Sequence, residues 1–169
     1  MAWVAPSSRS LGDLITAAIW NQDVVTNPQA LYDRSAPLSM CVCTDANNQT
    51  AAQAVKTAIT FDTEVYDTDD YHSTVSNTSR FTAPVTGLYA VHARALANGS
   101  VGEPELKVDG GSFSPMVTSA EQNNADDVAI ISAHVYLTAT QYVEFCIDGA
   151  GADRTINPSF FSIVLLSGD

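Results

Sequence analysis

Basic residues are scarce in this chain: seven Lys and Arg stand against nineteen Asp and Glu in 169 residues, a formal charge of −12. A surface of that sign repels phosphate backbones and anionic headgroups, so nucleic acid is not an expected partner. No run approaches the ~20 apolar residues of a membrane-spanning helix, so no membrane insertion is expected. The leading Met1-Ala-Trp-Val-Ala-Pro6 lacks the basic start and unbroken apolar stretch of a secretory signal, and the protein is expected to stay soluble where it is made. Cysteine is limited to Cys41, Cys43 and Cys146, an odd set that cannot pair fully within one chain. Free buried thiols are expected rather than a Cys-X-Cys metal or redox pair, because a zinc site wants four ligands and no second Cys/His pair completes one. Catalytic signatures are missing too. His72, His92 and His134 are the only histidines, and no Ser or Cys sits in a G-x-S-x-G elbow, so no enzyme activity is expected.

What the chain does have is apolar residues, 46% of the total, dispersed among Ser, Thr, Asn and Gln rather than among charges. One core of ordinary size is expected. Residues 1–36 differ from the rest. Asp13 or Thr16 can cap a short helix whose apolar residues Ile15, Ile19 and Val24 lie near one face, with Trp20 beside them. A helix of that length is marginal alone and needs a surface to pack on.

From Leu38 onward the pattern becomes short strands between polar turns, at 38–44, 58–66, 78–83, 87–97, 104–109, 113–118, 127–137, 140–148 and 159–167. So many strands in so little chain imply antiparallel sheets. Val143, Phe145 and Ile147 alternate with Tyr142, Glu144, Cys146 and Asp148, and Phe161, Ile163 and Leu165 repeat the alternation. The closing Phe160-Phe-Ser-Ile-Val-Leu-Leu166 is apolar on both faces, so it belongs inside a sheet or under another chain. Pro84 and Gly87 predict a reversal between the strand ending at Phe81 and the one starting near Leu88.

The most informative stretch is Asn77…Arg80-Phe81…Pro84…Gly87-Leu-Tyr89. Together with Ile59-Thr-Phe-Asp62, Leu106-X-Val-Asp-Gly110 and Ser159-Phe-Phe-Ser162, it resembles the centre of the C1q-like family. The fold this implies is all-β, a C1q/TNF-like antiparallel jelly-roll sandwich over residues 37–169 behind a short N-terminal helical anchor over 1–36. The resemblance also implies a homotrimer, with contacts at Tyr89, Phe160, Phe161, Ile163 and Leu165, the last four dividing between subunit core and threefold contact. A second resemblance, carried by Trp3-Val-Ala-Pro6…Gly12-Asp-Leu-Ile-Thr-Ala-Ala-Ile-Trp20-Asn21…Asn27…Leu31, is to the N-terminal segments of bacteriophage tail fibres and other virion appendages. It implies attachment to other virion proteins through residues 1–36, by Trp3, Ile15, Ile19 and Trp20.

The resulting expectation is a virion-located, non-enzymatic structural protein made in the host cytoplasm: a trimeric fibre or tail-tip knob that presents its jelly roll to a host-surface glycan or protein. The alternatives are a head decoration or head fibre without receptor binding, and, in another class, a secreted C1q-like recognition protein. Outer loops at 67–76, 98–103 and 119–127 are the candidate host contacts, and Tyr66, Tyr71, Tyr136 and Tyr142 could line a carbohydrate surface. No cofactor is expected, with calcium as the one exception. Asp67, Asp69 and Asp70 crowd one loop, as oxygen ligands for Ca²⁺ must, although the spacing is not that of an EF-hand and a solvated acidic loop is the simpler reading.

Overall fold

The protein is described from a computed structural model that covers residues 16–21, 38–113, 117–121 and 127–168. Internal contacts divide the chain into two units, Met1–Pro37 and Leu38–Asp169. In the first, the described part is a helical turn, α1 (Ala17–Trp20), closed by the Trp20 N–H donating to the Thr16 carbonyl at 3.0 Å. Trp20 is exposed. Trp3, Ile15, Val24 and the side chain of Ile19 lie outside the described residues, and with them most of the expected amphipathic helix.

The second unit is all β. Its strands are β1 (Met40–Asp45), β2 (Gln49–Ala51), β3 (Thr57–Ala58), β4 (Thr63–Asp67), β5 (Arg80–Thr82) and β6 (Gly87–Ala97), followed by β7 (Glu105–Val108), β8 (Gly111–Ser112), β9 (Val117–Glu121), β10 (Asp127–Leu137), β11 (Tyr142–Ile147) and β12 (Arg154–Gly168). They form a seven-stranded sheet, β4-β1-β12-β6-β10-β9 with β2 also on β12, and a five-stranded sheet, β3-β11-β7-β8 with β5 also on β11. Every strand pairing is antiparallel.

Period-two alternation puts one face of each long strand into the core. In β6 the buried set is Tyr89, Val91, Ala93, Ala95 and Ala97, and in β10 it is Ala129, Ile131, Ala133, Val135 and Leu137. The alanines of these two central strands leave room for large rings from elsewhere. Phe61, Phe81 and Phe161 fill it, with Phe81 and Phe161 stacked at 3.8 Å between centroids and 11° between planes.

Three expectations change in detail. The expected strand 58–66 is two strands in different sheets, β3 and β4, and the chain between them drives Ile59 and Phe61 into the core as it crosses. The Pro84/Gly87 segment likewise carries the chain from β5 in the smaller sheet to β6 in the larger, so it is a crossover rather than a reversal within one sheet. Gly87 is needed there for closeness, since a Cβ would stand 2.3 Å from the Ser167 carbonyl of β12. Finally, the last strand begins five residues earlier than expected, at Arg154. Ile156 sits opposite Ala97 and Ser159 opposite Ala95, so three residues of β12 span two of β6, with the cis Asn157–Pro158 bond inside the bulge. The extra residue moves the inward set from even to odd numbers, giving Ser159, Phe161 and Ile163 the core. Proline suits that place because a bulge asks for no ladder N–H.

Candidate assembly face and buried thiol cluster

The same alternation that fills the core defines the opposite face of the seven-stranded sheet. Its register brings Thr44, Phe160, Arg94 and Ile130 into one row, Val42, Ser162, His92 and Ser132 into the next, and Met40, Val164, Ala90 and His134 into a third. Leu88 and Tyr136 pair beyond them. Of these, Met40, Val42, Phe160, Val164, Leu88, Ala90 and Ile130 are half-buried and Tyr136 is exposed. Single exposed apolar side chains are ordinary on a monomer, whereas here eight apolar side chains share one face of four paired strands. Its polar members are Thr44, Arg94, Ser162, His92, Ser132 and His134, so the middle row is polar except for Val42 and divides the apolar residues, and His92 meets the Phe160 ring edge-on at 6.2 Å.

Placement divides the expected trimer-contact residues. Tyr89, Phe161 and Ile163 are sealed in the core of the single chain, and the Tyr89 hydroxyl donates to the Val85 carbonyl at 2.5 Å. Side chains with no exposed surface have none to give a neighbour. Phe160 and Leu165 retain surface, and Phe160 lies on the outward face with Val164.

The second notable group lies in the core. Cys41 and Cys43 point the same way from β1, their Sγ atoms 3.4 Å apart, and Cys146 is the third free buried thiol. Cys146 lies apart, on β11, while His72 is buried beside Cys43 and stacked on Phe81 at 4.8 Å. Its Nδ1 lies 3.1 Å from Glu64 Oε1 and its Nε2 3.0 Å from the Thr78 carbonyl. Both ring nitrogens therefore face acceptors, which only the imidazolium satisfies fully. Burial alone would lower its pKa, but hydrogen bonding to Cys43, then the Thr78 carbonyl, then Glu64, raise it to about 9. Cys43 goes the other way, to about 6, chiefly because Cys41 donates to its sulfur, against burial and with help from His72. The same bond, with burial, raises Cys41, and burial raises Cys146 to about 11.

The pH dependence follows. The depressed Cys43 contributes stability in full above its ordinary value of 9.0, and that stability is lost as pH falls through about 6. The raised His72 contributes in full below 6.5, and its share is lost as pH rises through about 9. Titrating the native protein by ultraviolet thiolate absorbance should give a one-thiol step near pH 6, and Cys43→Ser should abolish it. A first step at the ordinary thiol pKa would contradict the arrangement.

Cys43, His72 and Glu64 form a nucleophile-like sequence, but the thiol is sealed from solvent and the His72 side chain is wholly enclosed. They make a polar knot within the core, with no room for a substrate at the sulfur.

The three carboxylates considered for calcium do not converge. The Asp67 carboxylate accepts the backbone N–H groups of Asp69, Tyr71 and His72, at 3.4, 3.0 and 2.9 Å, and so closes its own loop. Asp69 accepts from the Thr68 hydroxyl at 3.0 Å. Among the described residues no group of three or more His, Cys, Asp and Glu side chains could hold a metal ion. No helix among them is long and apolar enough to cross a membrane.

Sequence reasoning missed the His72–Cys43 pairing, because 28 residues separate the two in the chain. It also missed the cation–π contact of Arg80, whose guanidinium carbon lies 4.2 Å from the centroid of Tyr142. The register β5–β11, which sets Thr82 opposite Tyr142 and Arg80 opposite Glu144, creates that contact.

The two-sheet arrangement matches known jelly rolls. The globular domain of zebrafish complement 1qA superposes with a TM-score of 0.59 at 19% identity, covering 78% of this chain and 99% of that one. Murine APRIL gives 0.58 at 14% identity over 77% of this chain and all of that one. The Eiger TNF of S. frugiperda gives 0.54 at 14% identity over 79% of this chain and 95% of that one. No protein-family profile and no curated protein sequence matches the chain. The fold is thus a C1q/TNF-type jelly roll, reached with little sequence likeness to its structural neighbours.

Proposed function

We propose that the chain is a non-enzymatic assembly and recognition module, a homotrimer whose subunits meet on the outward face of the seven-stranded sheet. The observation that carries this reading is the apolar field built by Met40, Val42, Leu88, Ala90, Ile130, Phe160 and Val164 across β1, β12, β6 and β10. Burying about 800 Å² on each partner, the usual scale of a stable contact, would require most of that face. The fold is supporting context, because the resemblance to C1q-like proteins implies threefold association.

Within that frame, residues 1–36 are the attachment segment of a virion structural protein, a reading supported by their likeness to phage appendage N-termini. Trp3, Ile15, Ile19 and Trp20 supply its apolar contacts, and the jelly roll faces outward to a host-surface glycan or protein. A head decoration protein would share the anchor and the trimer but would bind no receptor.

Sedimentation across the micromolar range should give a single species of three chains, and a monomer throughout that range would overturn the assembly reading. The full-length Trp3→Ala/Trp20→Ala protein should remain trimeric but no longer co-sediment with particles. Unchanged retention on particles would remove the attachment role.

A further inference from the structure

A concavity lined in part by strands of the smaller sheet shares no residue with the assembly face. The loop 70–77, β5 and the start of β11 enclose a cavity of about 350 Å³ whose lining includes Asp70, Ser76, Asn77, Arg80, Thr140 and Tyr142. Two of its walls are rigid. Arg80 is held from below by the Tyr142 ring at 4.2 Å, its Nε donates to Glu144 Oε1 at 3.4 Å, and its backbone N–H donates to the Asn77 carbonyl at 2.8 Å. Tyr142 is pinned in turn by its backbone N–H donating to Asp109 Oδ1 at 3.1 Å.

The cavity is polar, and its polar groups are unspent. Among the described residues, the side chains of Asp70, Ser76, Asn77 and Thr140 make no hydrogen bond, and the terminal nitrogens of Arg80 make none either. Elsewhere in the domain, polar side chains around the loops bond one another, as Thr60 does with Gln49 of β2 and Gln141 with Asp109. Backbone strain gathers here as well. Of the five non-glycine residues with positive φ among those described, three line this cavity: Asp70 at 57°, Asn77 at 51° and Thr140 at 76°. Asp and Asn tolerate that region, but a β-branched Thr does so at a cost, and strain of this kind collects at ligand sites. The Thr140 N–H donating to the Ala83 carbonyl at 2.9 Å holds it there.

We propose that this cavity binds a neutral pyranose, free or at the end of a glycan. The volume lies at the lower end of the ~300–1,000 Å³ typical of small-ligand sites, which suits one sugar ring. The lining offers what a polyol needs, a carboxylate and amide oxygen to accept from hydroxyls and a guanidinium, amide and hydroxyls to donate to them. Charge decides against other polar ligands. The one cation lining the cavity beyond His72, Arg80, is already shared with Glu144, and Asp70 adds a second carboxylate, so phosphates and acidic sugars meet net repulsion. The positive charge of His72 is offset by Glu64, 3.1 Å from its Nδ1, and by Cys43. The proposal deepens the recognition half of the function above by placing it at one site.

Saturation-transfer difference NMR on the full-length protein, with the methyl pyranosides of glucose, galactose, mannose and N-acetylglucosamine as probes, tests it. At least one should bind with a Kd of about 1 mM, glucuronate should bind at least tenfold more weakly, and Asp70→Ala and Arg80→Lys should each weaken binding about tenfold. Native circular dichroism of the variants guards against misfolding. No transfer to any neutral pyranoside at 10-fold that concentration, unchanged binding in folded Asp70→Ala, or preference for glucuronate would each overturn the proposal. Sedimentation of the same samples reports assembly separately, so failure to bind sugar leaves the trimer standing.

Discussion

Phe161→Ala should lower the stability of the folded chain by about 3–5 kcal/mol, a large share of the 5–15 kcal/mol that domains usually possess. The ring is fully enclosed, lies flat on Phe81 at 3.8 Å and meets Phe61 edge-on at 5.8 Å. Its removal costs transfer energy and leaves a void under the alanines of β6, which cannot collapse because the strand's ladder fixes them. Urea unfolding at fixed protein concentration should show the loss as a lower midpoint with an unchanged slope. The neighbouring Phe160→Ala makes the internal comparison. Phe160 is one residue away in β12 but on the outward face, so when both truncations are made in the Val164→Arg monomer, that of Phe160 should change unfolding far less. Equal losses at both positions would contradict the register of β12.

The largest effect on assembly is expected from Val164→Arg. Val164 lies mid-row on the outward face, between Met40 of β1 and Ala90 of β6. An arginine there points away from the core, so the fold should persist. In the trimer it would place an unpaired charge in each contact, at a cost of about 3–5 kcal/mol where water is excluded. Association should weaken about 100-fold or more, enough to turn a micromolar trimer into monomers. A trimer that survives Val164→Arg unchanged would mean that subunits meet elsewhere.

How much of this could be read from the sequence depended on whether period-two alternation ran uninterrupted. In β6 and β10 it does, and both strands occupy the expected residues 87–97 and 127–137. The jelly roll was legible through the family resemblance carried by the Arg80…Tyr89 centre, not through alternation, which left unseen that this segment crosses from one sheet to the other. In β12 the bulge at Asn157–Pro158 reverses the parity, and only the pairing with β6 reveals which of Phe160 and Phe161 turns inward. Cys146 shows another limit. Alternation assigns it to the face opposite Val143 and Phe145, yet it is buried, because a second layer of chain can cover a face that the pattern leaves open. The cavity by Arg80 depended on long-range register and on the positive φ of Thr140, which nothing in the local sequence announces. His72 was legible only as a histidine, since its partners Cys43, Glu64 and Thr78 come from three separate segments.

The claim on which the account rests is that identical copies cover the outward face of the larger sheet. Hydroxyl-radical footprinting of the wild-type protein against Val164→Arg, read by mass spectrometry, tests it most directly. The account predicts that Met40, Phe160, Tyr136, His92 and His134 are protected in the wild type and oxidised in the variant, with the exposed Val75 and Val55, which lie off that sheet, labelled alike in both. Equal oxidation of Phe160 and Tyr136 in the two proteins would contradict it.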